Sequence, residues 1–67
     1  MAFVSSTAVL RIDWYSESET LVINMRDGSR LMYTGVPQGV YEDFVAAGSK
    51  GGYFNAEIRN RYPFSYA

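Results

Sequence analysis

Apolar and polar residues alternate through the first half of the chain and then change period. In TAVLRIDWY (residues 7–15), Ala8, Leu10, Ile12 and Trp14 fall on one side, with Val9, Arg11 and Asp13 on the other. A period of two is that of a half-buried strand. TLVINMR (20–26) alternates again, setting Leu21, Ile23 and Met25 against Thr20, Val22, Asn24 and Arg26. RLMYT (30–34) sets Leu31 and Tyr33 against Arg30, Met32 and Thr34. The polar SESE (16–19) marks one intervening turn and Asp27-Gly28 the other, Asp-Gly being a strong hairpin signal. An antiparallel meander follows.

At GVP (35–37) the period changes. Pro37 cannot donate to a ladder but suits the start of a helix. QGVYEDFVAA (38–47) then carries Val40, Tyr41, Phe44, Val45 and Ala47 on one helical stripe, with Gly48 placed as a C-cap. Ser49 is either the N-cap of a second helix or the start of a loop running to Gly52. YFNAEIRNRY (53–62) repeats the helical period, with Phe54, Ile58 and Tyr62 inward and Glu57, Asn60 and Arg61 outward. Pro63 stops it, and FSYA is expected to be a short tail tethered by Phe64. The expected fold class is α+β: a three-stranded antiparallel β-meander followed by two α-helices packed on one sheet face. One domain spans residues 1–67. Its other sheet face is solvated or covered by a partner.

Composition narrows the function. A chain of 67 residues buries only about 60% of the surface that its unfolded form exposes. With neither cysteine nor histidine, it lacks disulfides, thiolate metal sites, the usual general base and the usual neutral metal ligand. Glu42 and Asp43 diverge around a helix, and the adjacent Ser49 and Lys50 cannot face one another. We therefore expect no enzyme, no catalytic residue, no cofactor and no metal. MAFVSSTAV lacks a basic leader, and no apolar run reaches the ~18 residues of a membrane span. A cytoplasmic protein with no membrane partner is expected. Six basic and seven acidic residues leave a net charge of −1. A domain that wraps duplex DNA by charge alone is far more basic, so any nucleic-acid role rests on a local patch.

Two such patches are visible. By strict alternation the open sheet face carries Arg11, Arg26 and Arg30 beside Val9, Val22 and Met32, with Asp13 among them. Arginine next to apolar contact area is how small sheets hold single-stranded nucleic acid. The same residues equally solubilise an exposed sheet and block edge pairing, or form a protein interface. The second patch is Lys50, Arg59 and Arg61 around GSKGGYFN (48–55). Backbone amides ahead of a helix can take an anion. GSKGG, however, lacks the spacing and Lys-Ser/Thr ending of a phosphate-binding loop, and a tight inter-helix turn explains the same residues.

Several marks stand in fixed order: SS (5–6), IDW (12–14), L-x-I-x-M-x-x-G (21–28) and Tyr33 ahead of GVP (35–37). A-x-S-x-G-x-YFN-x-x-IR-x-x-Y then runs from Ala47 to Tyr62, with one glycine read as an insertion that lengthens the loop. Together they resemble the KTSC domain, named for its place at the C-terminus of some lysyl-tRNA synthetases and also found as a free-standing bacterial or phage protein. The resemblance implies a non-catalytic binding module, with RNA, tRNA included, as a partner by association. The alternative is a protein-interaction module, either a phage or bacterial regulator of a host partner or a homodimer through the open sheet face. On the RNA reading, Lys50 and Arg59 meet phosphate beside Arg61, Tyr53 stacks, and Asn55 reads an edge or caps the helix. Arg11, Arg26, Arg30, Val22 and Met32 form the second surface. The family usually carries Tyr-x-Tyr in its third strand. Leu31 and Tyr33 hold those positions here, on the face expected to be core.

Overall fold

A computed structural model describes residues 2–3 and 7–66. Ser5 and Ser6 of the SS pair lie outside them, as does Ala67. The α+β class holds, but among the described residues the sheet has five strands rather than three: β1 (Ala2–Phe3), β2 (Val9–Tyr15), β3 (Thr20–Met25), β4 (Arg30–Tyr33) and β5 (Phe64–Tyr66). All neighbours are antiparallel, in the order β1-β2-β3-β4-β5. The expected meander is thus the centre of the sheet, and the chain's two ends add an edge strand each. The FSYA tail is a strand because it pairs with β4, a contact distant in sequence.

Two rows of side chains cross the covered face, Ile12–Ile23–Leu31–Tyr66 and Trp14–Leu21–Tyr33–Phe64. Val9, Ile12, Leu21, Ile23 and Tyr33 join Val36, Phe44 and Ile58 in one buried cluster. β2 departs from strict alternation. Its register slips between Val9 and Arg11, so Leu10 is the extra residue of a bulge and is 39% exposed. Val9, expected on the open face, is buried in the core instead. A bulge turns one residue's worth of side chains over.

The connections carry the backbone strain. Gly28 (φ 96°) makes the β3–β4 turn. There Ser29 donates its hydroxyl and amide to Asp27, holding that carboxyl below its usual range. Gly35 (φ 72°) turns the chain out of β4, and Val36 drops into the core with its amide on the Glu19 carbonyl at 2.9 Å. Glu19 itself is left-handed at φ 50°. Trp14 closes this corner, its indole donating to Val36 O at 2.9 Å and stacking on Tyr41.

α1 (Gln38–Ala46) begins after Pro37, whose carbonyl accepts from Val40 and Tyr41. Phe44 is its buried anchor. It ends at Ala47 in extended conformation, without the left-handed glycine expected at Gly48. Of the two readings of Ser49, the N-cap is the one found: α2 (Lys50–Tyr53) starts directly after it, and its hydroxyl accepts the Gly52 amide at 3.1 Å. Gly51 and Gly52 therefore lie in a helical turn, not in a lengthened loop. The second helix also starts three residues before the expected Tyr53 and passes at Phe54 into a π turn, Phe54–Ile58.

Candidate nucleic-acid interface

Beyond the helices, the two core rows continue onto β5 and come out into solvent. Leu31 and Tyr33 floor an open cleft of about 480 Å³. Phe54, Phe64 and Tyr66 wall it, and Arg59 and Asn60 stand at its rim. An aromatic series runs from interior to surface. Phe54 meets Tyr33 edge-on at 5.7 Å, Tyr33 lies 5.2 Å from Phe64, and Phe64 meets Tyr66 edge-on at 5.1 Å. Exposure rises along it, from 3% at Tyr33 to 46% at Phe64 and 77% at Tyr66.

The π turn aims the cation. In a regular α-helix, Arg59 would sit about 140° round the axis from Phe54. Here its amide reaches Phe54 O at 2.9 Å, an i→i−5 closure that returns Arg59 to the turn above Phe54. Its guanidinium has no hydrogen-bond or ion-pair partner among the described residues. None of the described lining residues is acidic. Burial pushes the Tyr33 phenol above its usual range, the Arg59 charge pulls it back, and Tyr66 adds to the rise. The cleft thus pairs an unneutralised cation with exposed ring faces, the combination that holds a phosphate and its base.

The sequence pattern of the KTSC domain matches residues 5–62. The chain belongs to the KTSC domain family. A KTSC domain protein from Yersinia pestis, known from its crystal structure, superposes at a TM-score of 0.92 with 29% identity. The match covers 98% of this chain and 93% of that one. No curated protein matches the chain in sequence. The Tyr-x-Tyr positions of the family fall as expected, Tyr33 in the core and Leu31 packed against it.

The remaining candidate residues of this KTSC domain are dispersed. Lys50 folds its ammonium back onto Ala47 O and caps the end of α1. Tyr53 stacks on Phe44 at 5.7 Å. Its phenol is raised by burial first, then by Asp43, Glu57 and Tyr62, surroundings that repel an anion. Asn55 is exposed but outside the cleft. Arg61 donates to Ala56 O at 3.2 Å and lies 4.0 Å from Glu57. Lys50, Tyr53 and Arg59 do not converge: the first two face α1, and Arg59 faces β5.

The open sheet face is also changed from expectation. Arg11 is bound to Asp13 at 2.9 Å, and Asn24 donates to the same carboxylate at 3.3 Å. Val22 is 4% exposed, so it offers no apolar contact area there, and Met32 beside it is half-buried. The strand partners around Val22 bring Asp13 on one side and Met32 on the other, which close over a residue this short. Arg30 is exposed on this face, and Arg26 lies in the turn after β3, its amide on Ala8 O. Among the described residues, no three acidic groups gather where a cation could be held. No helix among them is long and apolar enough to cross a membrane.

The parts of the cleft that sequence reasoning missed are Asn60, Phe64 and Tyr66. One signal was present. Phe-Ser-Tyr after Pro63 alternates with period two, as a strand does.

Proposed function

We propose that this KTSC domain is a non-catalytic module that binds single-stranded nucleic acid, RNA foremost, in the Arg59 cleft. The observation that carries this reading is an unpartnered guanidinium at the rim of a cleft walled by exposed rings, with no acidic side chain among its described lining residues. Stacking supplies most of the affinity in such sites and the cation tracks the backbone. The non-catalytic part rests on the lining, which holds no carboxylate, thiol or imidazole to move a proton at neutral pH. The dimer through the open sheet has less support, because Val22 is covered and Arg11 is committed to Asp13.

The test is an NMR titration of the isotope-labelled domain with a mixed pool of short RNAs at low salt. Shifts are expected at Leu31, Arg59, Asn60 and residues 64–66. They disappear in Arg59→Glu and persist in Lys50→Gln. A spectrum unchanged by RNA at low salt overturns the reading and leaves the protein-interaction module in its place.

A further inference from the structure

Resting on that reading, we infer that the cleft seats a single nucleotide: base on Tyr66 and Phe64, phosphate on Arg59, base edge against Asn60. Four observations set the size of the unit. The cleft, at about 480 Å³, falls in the range of small-molecule sites. That is room for one base and its sugar. The Phe64 and Tyr66 rings stand 73° apart, so they form two walls at an angle instead of one continuous platform for successive bases. Among the described residues one unpartnered cation, Arg59, lines the cleft, which fits one phosphate. Asn60, exposed at the rim, brings an amide that both donates and accepts, as a base edge requires.

The position of the seat explains how a strand would use it. β5 is an edge of the sheet, so among the described residues no further strand covers its outer side, where neighbouring nucleotides would pass. A base paired inside an A-form helix does not present its face to such a seat, whereas an unstacked base of a loop or single strand does. The site should therefore discriminate by strandedness before it discriminates by sequence.

One chemistry, a base with its phosphate, can come from a free nucleotide or from a strand, and the experiment separates them. The domain is titrated with the four nucleoside monophosphates, with oligoribonucleotides of increasing length, and with an RNA duplex, each followed by NMR. Expected are shifts at Arg59, Asn60 and Tyr66 with mononucleotides, affinity that levels off within about three nucleotides, and no response to the duplex. Tyr66→Ala, at a site too exposed to threaten folding, should weaken binding about 5- to 150-fold. With the parent nucleosides titrated alongside, Arg59→Gln should erase the preference for nucleotides over nucleosides. Affinity that climbs steadily with length while shifts spread over the far sheet face overturns the single-nucleotide seat and leaves RNA binding standing. Equal binding of duplex and single strand also overturns the seat. Mononucleotide binding without strand binding keeps the seat, assigns it to free nucleotides and overturns the RNA reading. Silence from every probe overturns both.

Discussion

Gly51 and Gly52 are adjacent in sequence and opposite in what they tolerate. A Cβ on Gly51 would meet nothing within 4 Å, whereas one on Gly52 would lie 2.9 Å from Ser49 Oγ. That hydroxyl is the helix cap, accepting the Gly52 amide. Gly51→Ala should stabilise the domain by about 0.5–1 kcal/mol through helix propensity and reduced unfolded-state entropy. Gly52→Ala should forgo that gain, because displacing Ser49 loosens a cap worth about 1 kcal/mol. Urea unfolding of the two variants decides it, and identical effects would contradict the capping geometry. Two tyrosines carry a second prediction. Burial raises both the Tyr33 and Tyr53 phenols above their usual range. A proton held more tightly in the folded state stabilises it below the ordinary tyrosine range and ceases to do so as pH climbs through the raised one. Alkaline titration followed by tyrosinate absorbance should thus show two late-ionising groups, with stability falling over the same interval. Since the Arg59 charge lowers Tyr33, Arg59→Gln should push that phenol higher still, reporting where Arg59 points without any ligand.

At the scale of elements, the centre and the edges of the sheet should differ in stability. β3 lies between two full partners and buries Leu21, Val22 and Ile23, while β5 is a three-residue edge strand exposed throughout. Amides of β3 should exchange with solvent only on global unfolding, and those of residues 64–66 by local opening, far faster. Equal protection in the two strands would mean that β5 is not the weak edge described. The same contrast decides what the sequence makes legible. β2, β3, β4 and α1 announce themselves through local period, because one face of each packs against the core. β5 is three residues long, too short for a period to stand out, and its partner is β4, some thirty positions earlier in the chain. The bulge at Leu10 and the π turn at Phe54–Ile58 are equally silent, since each is one residue of slack absorbed where packing permits. Of these, β5 and the π turn build the cleft. Arg59 could be named from sequence as a cation near a helix, but Phe64 and Tyr66 could join it only once β5 was paired. Lys50 and Tyr53 illustrate the converse: residues near Arg59 in sequence, yet occupied elsewhere by Ala47 and Phe44.

For the whole molecule, charge sets how binding responds to salt. The net charge is −1, and the basic residues are not pooled: Arg11 is bound to Asp13, Arg61 lies beside Glu57, and Lys50 caps α1. A polyanion approaching the cleft meets one unpartnered guanidinium, not a basic field. Counterion release then counts about one phosphate, so log affinity for single-stranded RNA should fall against log salt with a slope near −0.7. A fourfold rise in salt would weaken binding only about 2- to 3-fold, where a protein making six or more phosphate contacts loses a thousandfold or more. Fluorescence anisotropy of a labelled oligoribonucleotide across a salt series measures the slope directly. A slope several times steeper would mean that Arg26, Arg30 and Arg61 also engage the backbone, moving the interface beyond the cleft. A slope near one charge that vanishes in Arg59→Gln, with Tyr66→Ala lowering affinity at every salt concentration, would separate the two contributions: charge from one arginine, the remainder from the rings that β5 holds at the edge of the sheet.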